Sequence, residues 1–205
     1  MNRNGSVSNW LRHSLIAVAA ATLMTACAED APLAPDRPAT YQAYDSLGIL
    51  FDQEGVAARD VELGSCSNLQ APEGSKLAFR TYATGVQIYR WNGTGWGFVA
   101  PSADLHADAS GNETVGSHYA GPTWESVSGS KVVAAVDDRC LADPNAIPWL
   151  LLRAVSTEGP GIFERVTFIQ RVNTVGGNAP AAAGTFVGQE TRVPYSAEYL
   201  FYRAQ

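Results

Sequence analysis

From residue 77 to the C-terminus, short apolar or alternating segments rich in aromatic and β-branched residues are separated by turn signals. This pattern is typical of β-strands. The Asn92-Gly93 pair between two of the segments is a strong hairpin signal. The strand-like segments lie at residues 77–83, 86–91, 96–100, 105–109, 115–120, 123–127, 131–136, 149–155, 163–172 and 193–202.

Nine or ten short strands at hairpin spacing, without a convincing long helix, predict an all-β fold. We expect a single antiparallel domain, either a β-sandwich or barrel-like, over residues 63–205.

The N-terminus has a different pattern. A short basic region is followed by an apolar run at residues 14–24, which is the arrangement of a signal peptide. The run is too short to cross a bilayer comfortably, because a spanning helix needs about 20 apolar residues. It ends in Leu-Met-Thr-Ala-Cys at residues 23–27, which resembles a bacterial lipobox with Met24 where leucine is usual.

These features predict a lipoprotein signal peptide at residues 1–26 and lipidation of Cys27. The protein would then be exported and anchored to the cell envelope, at the periplasmic side of the outer membrane or the cell surface. The alternative is an ordinary signal peptide cut near Ala26 or Ala28. Residues 27–62 begin with a stretch rich in Ala, Pro and acidic residues, typical of a tether, and continue as a weakly ordered lead-in.

Charge excludes one class of partner. Residues 1–26 carry two basic residues and no acid, so the rest of the chain has 12 basic and 20 acidic residues and a net charge of −8. Such a surface repels phosphate backbones, so we expect no nucleic-acid partner.

The sequence contains three cysteines, for which we expect two different roles. If Cys27 takes the lipid, Cys66 and Cys140 remain as an even pair in an oxidising compartment, and we predict a disulfide between them. The alternative is two unrelated buried thiols. A zinc site is disfavoured, because no second Cys or His stands at ligand spacing beside either one.

Five blocks of sequence carry a resemblance to a known family. They read GVQIYRW, VGSHYAGPTWE, IPWLLLRA, FIQRVNTVGGNAP and VPYSAEYLFY, and they begin at residues 85, 115, 147, 168 and 193. In this order the blocks resemble the signature of the DUF3455 family, over nearly all of residues 72–205. The resemblance implies a secreted β-rich domain of bacteria or fungi, and it implies no biochemical activity.

The block at residues 115–125 holds the candidate site. We predict His118, Tyr119, Trp124 and Glu125 as ligand-binding residues, since aromatic side chains commonly line ligand pockets. The favoured function is non-catalytic binding of a small molecule, a glycan or a protein partner. For these residues taken by themselves a purely structural interpretation is favoured, in which His118 hydrogen-bonds a neighbouring loop and Trp124 fills the core.

The alternative function is a hydrolytic enzyme that uses His118 and Glu125 in metal-assisted or acid–base chemistry, with His106 as a further ligand if its strand pairs with that of His118. No catalytic residue or metal ligand is assigned. No cofactor is expected, because the glycines at residues 93–97 lie between two strands with no following helix to receive a pyrophosphate.

Overall fold

The structure, a computed structural model, describes residues 61–205. The predicted signal peptide, the lipidation site Cys27 and nearly all of the predicted tether and lead-in lie outside the described residues.

The described chain consists of one short 3₁₀ helix, Gly64–Leu69, followed by eight antiparallel strands. Each strand pairs with the next and β8 pairs with β1, so the sheet closes into an up-and-down barrel. Within residues 61–205 no helix is long and apolar enough to cross a membrane. The strands are β1 (Ser75–Trp91), β2 (Trp96–His106), β3 (Thr114–Tyr119), β4 (Thr123–Ser126), β5 (Lys131–Cys140), β6 (Trp149–Glu158), β7 (Val166–Gly176) and β8 (Glu190–Ala204).

The all-β antiparallel prediction is confirmed, but the count of nine or ten strands is wrong. The first two predicted strands are one, because Gly85 is not a turn residue. It lies where β1 presses against β2, and a Cβ at this position would stand 2.2 Å from the Ser102 carbonyl oxygen. The glycine lets the backbones of β1 and β2 approach closely, and β1 continues through this position without a turn.

The third and fourth predicted strands also merge, to form β2. Pro101 interrupts the sequence pattern but not the strand, since it pairs with Gln87 of β1 on one side. On the other side, β3 pairs with β2 only from Ala103 to His106. Proline is tolerated at such an edge because no neighbouring strand there requires its N–H.

Alternate residues of the strands fill one end of the barrel with aromatic rings. Phe79 of β1 stacks on Phe201 of β8 with ring centroids 4.6 Å apart, and Phe163 packs against both rings. All three side chains are almost completely buried. This half of the barrel is a packed core, and the pocket that Phe79 and Phe163 line there has a volume of only about 30 Å³.

The 3₁₀ helix covers part of the outer surface of the barrel. Leu69 and Cys66 are fully buried there in a cluster with Leu151 of β6. The Gln170 amide donates a hydrogen bond of 2.7 Å to the Leu69 carbonyl. Cys66 is bonded to Cys140 of β5 with Cα atoms 5.6 Å apart, so the predicted cysteine pair is brought together.

Candidate functional site

The four residues predicted as a site are divided between the two faces of the barrel wall. His118 of β3 pairs with Trp124 of β4, and both side chains point into the barrel. Because adjacent strand residues point to opposite faces, Tyr119 and Glu125 lie outside. There the Tyr119 hydroxyl donates a hydrogen bond to Glu125, and Lys131 lies 3.8 Å from the same carboxylate.

His118 is held as a neutral ring. It is 3% exposed, its Nδ1–H donates to the Thr123 carbonyl at 2.8 Å, and it stacks on the Trp124 indole at 4.3 Å. Burial lowers the pKa of His118 to about 3, against the opposing effect of the Thr123 carbonyl. A ring in this state does not exchange protons with a substrate near neutral pH.

The residues of the hydrolase hypothesis are not brought together. His118 and Glu125 point to opposite faces, and His106 lies three positions along β2 from Ala103, the partner of His118. At the rise of a strand this is a separation of about 10 Å. Within residues 61–205 no three His, Cys, Asp or Glu side chains are grouped closely enough to hold a metal ion.

The barrel wall has an opening beside this pair of rings. β3 and β4 are short, so residues 96–102 of β2 and residues 134–140 of β5 have no strand partner, within the described chain, on the sides that face each other. We call this opening the notch. Phe98, Val99 and Val136 line it and are 57%, 42% and 40% exposed, which is unusual for large apolar side chains.

Beneath the notch lies a cavity with two adjoining compartments. The inner compartment has a volume of about 160 Å³ and is lined by Trp124, His118 and Tyr199. The outer compartment, about 300 Å³ and more open, extends towards Pro148 and Arg139. The two compartments are adjacent, because both are lined by Gln87, Phe98, Val136, Leu150 and Arg171.

Several polar atoms around the cavity are buried without a hydrogen-bond partner of good geometry in the described chain. Three belong to side chains that line the inner compartment: Gln87 Nε2, Trp124 Nε1 and Tyr199 Oη. These side chains are at least 98% buried. Imperfect contacts link Gln87 to Tyr195 and link Tyr199 to Tyr195 and Arg171. The three polar atoms therefore lack well-formed hydrogen bonds, and because most buried polar groups in proteins are satisfied, they mark a place where another molecule is expected.

Arg171 of β7 brings a positive charge to this cavity. It pairs in register with Tyr199 of β8 and Leu150 of β6, and it is half-buried. Its Nε and Nη2 donate to the Pro148 carbonyl at 3.1 and 2.8 Å. Within the described residues it forms no ion pair with a carboxylate.

The tyrosines near Arg171 remain protonated. Burial raises the pKa of Tyr195 and Tyr199, and the Arg171 charge opposes this effect in both. The two hydroxyls also influence each other's pKa, which places Tyr195 beside Tyr199 at the polar end of the barrel. As neutral phenols, both are able to donate a hydrogen bond.

Sequence reasoning selected His118 and Trp124 but missed Gln87, Arg171 and Tyr199. The sequence contained one signal for Arg171: it stands two positions after Ile169 in a strand-like segment, so the two side chains were expected to share a face. The sequence could not show that this face is the interior of the barrel. Gln170, on the opposite face, is also buried, under the 3₁₀ helix. Alternation identifies an interior only when one face of a strand is exposed.

Comparison with known protein families identifies a match. A family model described as a protein of unknown function (DUF3455) matches residues 72–203, well over half of the chain. No curated protein and no solved structure matches the chain. The match covers all eight strands except the last residue of β8, and therefore includes the cavity and the notch.

Proposed function

This chain belongs to the DUF3455 family, and from the geometry of its barrel we propose that it is a binding protein that holds a small, ring-bearing molecule in the cavity beneath the notch. The observation that carries the proposal is the combination of apolar walls with unpaired buried donors. Ligand sites are typically concave, mainly apolar and equipped with a few convergent polar groups. An eight-stranded barrel is also about the size that encloses one small ligand.

The inner compartment suggests the size of the bound part. A cavity of about 150 Å³ with apolar walls accepts benzene in another protein, and the inner compartment here is about 160 Å³. The Trp124 indole and the Tyr199 ring offer aromatic surface to a planar group. A single six-membered ring would fill the compartment, while larger substituents would extend through the outer compartment to the notch.

The binding proposal predicts that closing the notch abolishes binding. In Val136→Trp the indole would occupy the cavity entrance, whereas Val155→Trp introduces the same side chain at a valine that is 60% exposed and does not line the cavity. Benzyl alcohol and benzoate are suitable probes, with dissociation constants on the order of 1 mM for ligands of this size. Ligand-observed NMR titration should show at least tenfold weaker binding to Val136→Trp and unchanged binding to Val155→Trp.

Two results would contradict the binding proposal. If the wild-type protein binds neither probe, the cavity holds water only. If Val136→Trp binds both probes as well as the wild type does, the binding site lies elsewhere.

We further propose that the protein is exported and anchored to the envelope through a lipid on Cys27. The support is the apolar run at residues 14–24 followed by a lipobox-like sequence, together with a bonded Cys66–Cys140 pair, which suits an oxidising compartment. Anchoring would hold the cavity outside the cytoplasm, where it would meet ligands of the envelope or the medium.

The anchor predicts a change in fractionation. Cys27→Ser removes the only acceptor for the lipid, so the protein should move almost entirely from the membrane fraction to the soluble fraction. Immunoblotting of fractionated bacterial cells that produce each form measures this. Ser67→Ala, at an exposed position of the 3₁₀ helix, is the control for a substitution as such in the same strain. Retention of Cys27→Ser in the membrane fraction until detergent is added would refute lipidation.

A further inference from the structure

The charge around the cavity is opposite to the charge of the chain. The protein carries a formal net charge of −6. The side chains that line the two compartments nevertheless include Arg171 and Arg139 and no Asp or Glu. His118 contributes no charge near neutral pH, because burial lowers its pKa to about 3. The cavity is therefore a positive site in an acidic protein.

The unpaired polar atoms share one hydrogen-bonding role. An indole N–H and an amide NH₂ only donate, a guanidinium only donates, and a neutral phenol is able to donate. Trp124 Nε1, Gln87 Nε2, Tyr199 Oη and Arg171 thus all present donors around one cavity. A molecule that satisfies them must supply acceptors.

Arg171 is placed to meet such an acceptor. Two of its five N–H donors are used by the Pro148 carbonyl. Tyr199 is a further hydrogen-bonding neighbour, and Arg171 lines both compartments of the cavity. Arg80, Arg90 and Arg153 form ion pairs with Glu198, Glu190 and Asp137, whereas within the described residues Arg171 has none. A half-buried cation without a carboxylate partner is stabilised when a ligand provides one.

We propose that the ligand is an organic acid, with a ring in the inner compartment and a carboxylate held by Arg171 and the donors around it. This inference rests on the proposed binding function and specifies the chemistry of the ligand. A carboxylate carries one negative charge, which one guanidinium offsets, and its two oxygens match the planar donor geometry of arginine. A phosphate, with nearly two charges at neutral pH, would require Arg139 of the outer compartment as well as Arg171.

The test compares two probes that differ mainly in charge, benzoate and benzyl alcohol, by calorimetric or NMR titration of the purified protein. We expect the wild type to bind benzoate at least tenfold more tightly. Arg171→Gln should weaken benzoate binding at least tenfold and change benzyl alcohol binding less than threefold. Arg192→Gln removes the same charge from an exposed position of β8 and should change neither value.

A second variant covers the case in which Arg171→Gln does not fold. Tyr199→Phe removes one hydroxyl that has no hydrogen-bond partner of good geometry in the described chain. It should weaken benzoate binding about three- to tenfold and leave benzyl alcohol binding unchanged. Raising the NaCl concentration should also weaken only benzoate binding, because salt screens the interaction with the cation.

The outcomes separate the two proposals. If neither probe binds, the proposed function fails and the inference with it. If both probes bind equally well, and Arg171→Gln, Tyr199→Phe and salt leave benzoate binding unchanged, the cavity is a binding site but the preference for an acid is wrong. If benzyl phosphate binds more tightly than benzoate and depends on Arg171, the ligand is an anion other than a carboxylate.

Discussion

Replacement of Cys66 and Cys140 together by alanine is expected to lower the free energy of unfolding by about 4 kcal/mol. The bridge spans 74 positions of the sequence and ties the 3₁₀ helix to β5. In the chain-entropy description, loss of a link across so long a loop enlarges the conformational freedom of the unfolded chain. For a domain of this size such a loss is a large part of the total stability.

Urea denaturation followed by tryptophan fluorescence measures the effect. Cys27→Ser, which leaves the bridge intact, is the matched control and should unfold like the wild type. Reduction of the wild type should reproduce the result of the double variant. A loss below about 1 kcal/mol would show that the buried contacts of Leu69 and Leu151 hold the helix in place without the bridge.

The second large effect expected is a loss of stability on mild acidification, caused by His118. Its pKa is about 3 in the folded protein and 6.5 in an unfolded chain. Between these two pH values the unfolded state binds more protons than the folded state. The contribution of His118 to the free energy of unfolding is therefore fully present above about pH 6.5 and is lost as the pH decreases towards 3. From pH 7 to pH 5 this one group should account for about 2 kcal/mol.

The measurement is the free energy of unfolding at pH 5, 6 and 7 for the wild type and for His118→Phe. The variant keeps a ring against Trp124 but cannot titrate, so its stability should vary less over this range. It should be less stable at pH 7 by about 1–3 kcal/mol, because the Thr123 carbonyl loses its partner. Equal pH dependence in the two proteins would contradict the assignment.

Two aspartates should interfere little in that range. Hydrogen bonds from Ser110 and Asn68 hold the pKa of Asp108 and Asp138 below their usual values. The His118 ring is also directly observable by NMR, and its signals should not shift between pH 8 and pH 5. A titration in that interval would contradict the neutral state of the buried ring.

The candidate site could be predicted only in part. The sequence pattern pointed to the segment that contains His118 and Trp124, because aromatic and histidine residues cluster there around a glycine-proline bend. It also grouped Tyr119 and Glu125 with them. The pairing of β3 with β4 separates the two sets, since neighbouring residues of a strand face opposite sides of the sheet.

The merged strands show a similar limit. Gly85 and Pro101 both resemble turn or break residues when only their immediate neighbours are considered. The structure uses the first for a close approach between β1 and β2 and the second at an unpaired edge. Both roles depend on a strand that is distant in sequence, so local propensity cannot identify them.

The sequence by itself determined the class of this protein: short, aromatic-rich strands joined by tight turns, which have to pair as antiparallel neighbours, and blocks of residues that assign the DUF3455 family. Only the tertiary structure decided where a ligand could enter. The notch exists because β3 and β4 are shorter than the strands beside them, and the cavity is positive because Arg171 faces inward. Both are consequences of register and closure between distant strands, which no local pattern of residues encodes.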